Sequence, residues 1–397
     1  MNKNDSGYDF SAIRRHSLDR IGRHVLAGQS ALVKIHGETV WEDCTGFSSV
    51  ANNVPITGKS LFRMASMTKP ITAVCILQLF EQGRLGLLDD VSKYVPELRD
   101  FHVAKRGENN TIVDGGKAHR GVTIFDVLTH TSGIAQDELG YRQSGEYFFP
   151  KYYRPGARLA EVMPHVREIL LDCEPGGSMG YGAHVPFDLL GYVVEVISGM
   201  PFGDYVAENV TGPLGMRDTV FHPDPEQRKR IVGMYEAGEP EVKQVFADVT
   251  DAMIGIPESL EAGSCGLIGS VSDYSRFAEM LLNLGTLDGV RILNETTVRL
   301  MSTPLVRPGT VNYNMEQVWG LSVRVINSPA GQGPLPSGTF GWGGAYGTNF
   351  IVCPAKDLTA VYCTNLSNAG TVGAGTGAEF EADVFEAVDR KEKSDKK

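Results

Sequence analysis

Apolar residues along this chain change period four times, and each change marks a boundary. Between residues 8 and 27, Ile13, Leu18, Ile21 and Val25 recur near helical spacing, which predicts a first helix. ALVKIHGETVWEDCTG then alternates on either side of His36-Gly37 and predicts a hairpin over 30–46. Residues 67–82 return to helical character, with Val74, Cys75, Leu77, Leu79 and Phe80 apolar. QGRLGLLDDVSKYVPEL follows, rich in turn signals. The middle reads as helices and loops: GVTIFDVLTHTSG, DLLGYVVEVISG and FGDYVAENVTGPLG each have helical periodicity closed by a glycine. SVSDYSRFAEMLLNLG opens on a capping serine and runs on as an amphipathic helix, and NETTVRLMSTP is a shorter one. From about residue 318 the period falls to two. VWGLSVRVIN, GTFGWGGAYGTNFIVCP and DLTAVYCTNL read as three consecutive antiparallel strands. GAEFEADVFEAVDRKEK is a closing helix with Phe380, Val384, Phe385 and Val388 on one side, and the terminal KEKSDKK is expected to be frayed and solvated.

This order predicts an α/β (α+β) fold in which the first and last segments share one antiparallel sheet flanked by helices, with a helical lobe inserted between them. The expected boundaries are 1–85 plus 255–397 for the sheet domain and 86–254 for the lobe. A chain of 397 residues is long enough for two such units.

Composition narrows the function more than the fold. Net charge is −11, from 37 basic and 48 acidic residues, and no basic block occurs, so a nucleic-acid partner is not expected. The N-terminus lacks a basic start followed by an apolar run, and no membrane-length apolar stretch exists. Neither a secretory signal nor a membrane partner is expected. The six cysteines are scattered, several within apolar runs such as VCIL and VYCTNL, which suggests reduced core thiols in a cytoplasmic protein. Zinc-ligand spacing and HExxH are both missing, so neither metal nor cofactor is expected.

The chemistry concentrates in RMASMTKP, residues 63–70. At positions i and i+3 of a helix, Ser66 and Lys69 share a face. A serine hydroxyl needs a base within hydrogen-bond reach to become a nucleophile, and lysine can be that base when its surroundings favour the neutral amine. Pro70 disfavours helical geometry at Lys69 unless it lies close to the helix start, so the helix is expected to begin at or just after Ser66. A conflict of this kind is typical of a functional site. Two further elements fit. Tyr181 follows a glycine-rich loop and precedes a helix, where a phenol can relay protons. Gly343-Gly344, in a predicted strand, permits close approach, and the N–H of Ala345 could donate to an oxyanion together with that of Ser66.

RMASMTKPI, VLTHTSG, the tyrosine loop with LLGYVVEVISG, PLGMRDT and GWGGAYGT occur in an order that resembles the penicillin-recognising serine hydrolases. That group includes class C β-lactamases, D-alanyl-D-alanine carboxypeptidases, D-aminopeptidases and the family VIII carboxylesterases. The resemblance spans about residues 30 to 370. It implies Ser66 as acylated nucleophile, Lys69 as its base, Tyr181 as second base or proton relay, and the N–H groups of Ser66 and Ala345 as the oxyanion hole. It also implies a site between the sheet and a helical lobe.

Departures from the family pattern point to the substrate. Where related β-lactamases and carboxypeptidases carry Lys-Thr-Gly, this chain has Trp342-Gly343-Gly344, and an indole offers one N–H and no charge to a substrate carboxylate. Where they carry Tyr-x-Asn, it has Tyr181-Gly182-Ala183, followed by His184 as a partial substitute. Both departures are similar to family VIII esterases and favour a small-molecule neutral ester as substrate. The alternatives are a D-aminopeptidase, amidase or weak β-lactamase, and a non-catalytic binding protein of the same fold. GGSMG at 176–180 imitates the lipase elbow around Ser178, and GAGTGA at 373–378 a dinucleotide fingerprint, but neither has the flanking elements such motifs need. His130 is read as organising a turn, and Asp126 as serving its helix or an internal hydrogen bond. The aromatic stretch 140–156 either walls an acyl pocket or packs the lobe.

Overall fold

A computed structural model describes residues 7–136, 138–246, 256–314, 316–327, 335–367 and 375–396. Strands β1 (Gly28–Ile35), β2 (Glu38–Ser49) and β3 (Val54–Pro55) come from the start of the chain. Strands β4 (Gln317–Trp319), β5 (Arg324–Ile326), β6 (Phe340–Gly344), β7 (Thr348–Cys353) and β8 (Leu358–Thr364) come from its end. They join in one eight-stranded antiparallel sheet of order β4-β5-β6-β7-β8-β1-β2-β3, so β8 and β1 unite the two ends of the chain at its centre.

Alternation along the central strands divides two packing layers. Leu32, Phe350, Val352, Val361 and Cys363 face the core that holds helices α2 (Thr68–Glu81) and α4 (Val271–Leu282). Ala31, Val33, Ile351, Ala360 and Tyr362 face helices α1 (Ser11–Gly22) and α5 (Thr376–Asp395). Phe350 meets Tyr274 and Phe277 of α4 at ring separations of 5.1 and 6.2 Å, while Tyr362 stacks on Phe380 of α5 at 4.9 Å. Each such side chain contributes about 1.5–3 kcal/mol by burial. Helix α2 is buried at every position from Thr68 to Leu79, as expected of a helix apolar on all sides.

Some elements differ from the periodicity reading. The first helix is shorter than 8–27 because His24 turns into the left-handed region at φ +55°. Two of the three predicted C-terminal strands are hairpins: the chain turns between β4 and β5, with Ser322 at φ +70°, and again at Gly347 between β6 and β7. In GVTIFDVLTHTSG only Ile124–Leu128 is helical, capped by Thr123 and Asp126, and it stops well before Gly133. The middle of the chain also contains two small hairpins, His102–Arg106 with Ile112–Lys117 and Met234–Glu236 with Lys243–Phe246. The C-terminal KEKSDKK is not frayed along its length. Helix α5 runs to Asp395, held by Lys391–Asp395 and by Lys356–Glu392 at 2.7 Å. All six cysteines are free. Among the described residues no single helix is long and apolar enough to cross a membrane.

Candidate active site

Ser66 lies in a tight 3₁₀ turn, Ala65–Met67, that runs directly into α2. Lys69 and Pro70 are therefore the second and third residues of the helix. Its first four N–H groups have no helical partner in any case, so proline removes nothing there. Ala65 is held at φ +47°, a strained value for a residue with a side chain. The neighbouring strand enforces it: Thr348 Oγ1 donates to Met64 O at 3.0 Å, and a β-carbon at Gly344 would fall 2.5 Å from that same oxygen. The glycine lets β6 press directly onto the serine turn.

Lys69 is fully buried. Its Nζ donates to Ala183 O at 2.6 Å and Ser264 O at 3.0 Å, and lies 3.1 Å from Ser66 Oγ. Two tetrahedral positions on nitrogen are thus spent on backbone carbonyls. The third, whether it carries a proton or the lone pair, addresses the serine hydroxyl. Behind Ser264 stands a buried acid. Ser264 N–H donates to Asp188 Oδ1 at 2.9 Å, and the Tyr153 hydroxyl donates to Asp188 Oδ2 at 2.6 Å. Burial pushes the Asp188 carboxyl above its usual 3.8, against the opposing pull of Tyr153, Ser264 and Lys69.

Helix α3 (Val185–Ser198) starts just after the tyrosine loop. The Tyr181 hydroxyl accepts a hydrogen bond from Trp342 Nε1 at 3.3 Å, and Lys69 Nζ stands 5.0 Å from the Tyr181 ring centre, within cation–π range. Trp342 in turn packs on Trp319 at 4.4 Å. His130 backs this cluster, 4.8 Å from Tyr181 and 4.3 Å from Trp319, and its carbonyl accepts from Gly180 N–H at 3.0 Å and Gln136 Nε2 at 2.8 Å. At φ +55° it makes the turn read from the sequence. Asp126 joins its helix cap to Arg120.

His184 occupies the residue before α3, 3.8 Å from Cys265 Sγ and edge-on to Phe149. Burial pushes His184 down to about 3 and holds His130 well below 6.5. Both imidazoles are neutral in the fold, whereas the unfolded chain protonates them near 6.5. Below that value the unfolded state binds more protons at these two sites, so their share of the stability is lost as pH drops from about 6.5 toward 3. Glu195, whose carboxyl burial pushes up to about 7, acts in the opposite direction over part of the same range. Between about pH 7 and about pH 4 the urea midpoint of wild type should therefore drop relative to that of His130→Phe. An equal change in both proteins would remove His130 from this account.

Ser66, Tyr181, His184, Trp342, Gly343 and Gly344 are partly exposed and Ala345 is exposed, while the residues beneath them are buried. Contacts link Ser66, Lys69, Tyr181 and Trp342 in one chain, and Gly344 abuts Met64 O beside the serine turn. What the sequence reading missed is the layer beneath: Asp188, Tyr153 and the carbonyls of Ser264 and Ala183. The one available signal was an acid, Asp188, set within an apolar helix. The aromatic stretch 140–156 divides, with Tyr153 and Phe149 turned toward Asp188 and His184 and Tyr147 left exposed. Ser178 lies in a loop whose hydroxyl accepts from Asn312, without the strand-turn-helix of an elbow. Gly373 and Ala374 of the GAGTGA motif lie outside the described residues, and Thr376 begins α5. Among the described residues no group of three or more His, Cys, Asp or Glu is placed to hold a metal ion.

An antiparallel sheet with a serine–lysine helix start pressed against one of its inner strands is the architecture of a β-lactamase-type serine hydrolase. The Beta-lactamase family model matches residues 13–382, and the chain belongs to that family. Protein Rv1367c of Mycobacterium tuberculosis is 32% identical over 359 residues, covering 86% of this chain and 88% of that protein. Esterase EstB of Burkholderia gladioli is 29% identical over 382 residues, covering 90% of each. Among solved structures, EstCE1, a hydrolase with promiscuous acyltransferase activity, superimposes with a TM-score of 0.77 at 22% identity, covering 95% of this chain and 97% of that one. The chain is a serine hydrolase of this family.

Proposed function

We propose that the protein hydrolyses neutral carboxylic esters through an acyl intermediate on Ser66. The observation that carries this is the setting of Lys69, whose two carbonyl partners leave one position on nitrogen to face Ser66 Oγ at 3.1 Å. Lys69 takes the hydroxyl proton as Ser66 Oγ attacks the ester carbonyl. The N–H groups of Ser66 and Ala345 hold the oxyanion. Collapse expels the alcohol, protonated through Lys69 and Tyr181, and water then repeats the sequence to release the acid. Trp342, Gly343, Gly344 and His184 border the substrate.

The preference for a neutral ester rests on Trp342. It stands on β6 where related enzymes that bind carboxylates have an ammonium, and its one N–H is directed to Tyr181. A substrate carboxylate there would lose its charge-assisted partner. Similarity to the esterase EstB supports the same choice. The test is a panel of p-nitrophenyl esters, D-amino-acid amides and nitrocefin. Turnover of the esters is expected, with the other two slow or inert. Turnover of the amides alone would overturn the proposal.

A further inference from the structure

Behind β6, on the sheet face opposite Ser66, lies a charged group that the catalytic scheme does not use. Alternation along β6 turns Trp342 and Gly344 toward the serine turn and Gly341 and Gly343 toward α5. In register, Arg324 of β5 lies beside Gly341, and Asn349 of β7 lies beside Gly343. Both side chains therefore rise on the α5 face, one on each side of a strand that is bare there. They meet on a single oxygen of Glu381, from α5: Arg324 Nη2 donates to Oε1 at 2.6 Å and Asn349 Nδ2 donates to the same atom at 3.0 Å. The Glu381 side chain is 4% exposed and that of Arg324 19%, so solvent screens the contact little. The helix is drawn down closely, since a β-carbon at Gly377 would fall 2.7 Å from Asn349 Nδ2.

We propose that Glu381 is a positioning residue for the oxyanion hole. It spans β6 from behind, ties the strands on both sides to one another, and so fixes the strand that delivers the Ala345 N–H beside the serine turn. On the front, Thr348 is anchored to Met64 O and Gly344 abuts the same carbonyl. The strand is thus clamped between the serine turn and α5, and slack on the α5 side passes directly to Ala345. A donor displaced by a fraction of an ångström loses much of its hold on the oxyanion while substrate binding is little affected. A buried ion pair is weak evidence for added stability, and its use here is geometric. This inference rests on the ester-hydrolase reading of Ser66 and Ala345.

The test compares wild type with Glu381→Gln, which keeps the shape and one acceptor oxygen. The doubly substituted Arg324→Met/Glu381→Met protein fills the same space without charge and serves if the first variant does not fold. Each is assayed on a p-nitrophenyl ester and with an alkyl trifluoromethyl ketone, whose serine hemiketal places an oxyanion in the hole. For folded variant protein, kcat should fall about tenfold with KM unchanged, and the ketone inhibition constant should rise about tenfold, a modest part of the loss from deleting a donor outright. Lower thermal stability with unchanged kcat and inhibition constant would make the clamp merely structural and overturn the proposal. A matched rise in KM without a change in kcat would overturn it too. If wild type itself neither hydrolyses the ester nor binds the ketone, the esterase reading fails and the clamp's role fails with it, a result visible before any variant is made.

Discussion

Ser66→Ala is expected to abolish ester turnover, a loss on the order of 10⁵-fold or more, while the protein still folds. The hydroxyl is partly exposed and its hydrogen bond in the structure is to Lys69, so its removal opens no cavity in the core. Thermal stability should move by less than about 1 kcal/mol. A fluorophosphonate should label wild type at Ser66, located by mass spectrometry, and leave the variant unlabelled. Label at any other serine, or turnover surviving in the variant, would mean that the nucleophile has been misassigned. Wild type that takes no label would favour a binding protein over an enzyme.

Lys69 is the second position of large effect, and its loss acts twice. Without a base the hydroxyl is a poor nucleophile, and a fall of about 10³–10⁴-fold in kcat is expected for Lys69→Ala. The carbonyls of Ala183 and Ser264 also lose their donor in a buried place, at about 1–3 kcal/mol each. Lys69→Met restores the packing but not the donors, so it should recover part of the stability and none of the rate. Lys69→Arg should not rescue the rate either, because a guanidinium does not give up its proton near neutral pH. Denaturant melts beside single-turnover assays separate the two effects. Full activity in Lys69→Met would show that another group takes the serine proton.

The parts of the candidate site that were legible in the sequence are those that chemistry places close along the chain. Ser66 and Lys69 are three residues apart, and Pro70 marks where their helix starts. Tyr181 and Ala345 became candidates only through the order of several motifs, because nothing local sets them apart from a packed loop and a glycine turn. Asp188 was not legible. Its partners Tyr153 and Ser264 lie 35 and 76 residues away, and that spacing carries no signal before the chain is folded. The same limit explains the strands. Period two marks VWGLSVRVIN and GTFGWGGAYGTNFIVCP as extended, but a turn at Ser322 or Gly347 leaves the alternation on either side unbroken, so each hairpin reads as one strand. The C-terminal helix ran past its expected end for a related reason: Lys356, which ties down Glu392, arrives from a distant turn.

Helix α2 is enclosed by protein from Thr68 to Leu79, and Ser66 stands in the turn that opens onto it. In many enzymes the reactive group rides on a surface loop that can melt or adapt by itself. Here no such independence exists, because loosening the serine means dissolving the centre of the molecule. Heat inactivation and loss of the native state are then one event, and any broadening of substrate range has to come from the rim of the cleft, not from its floor.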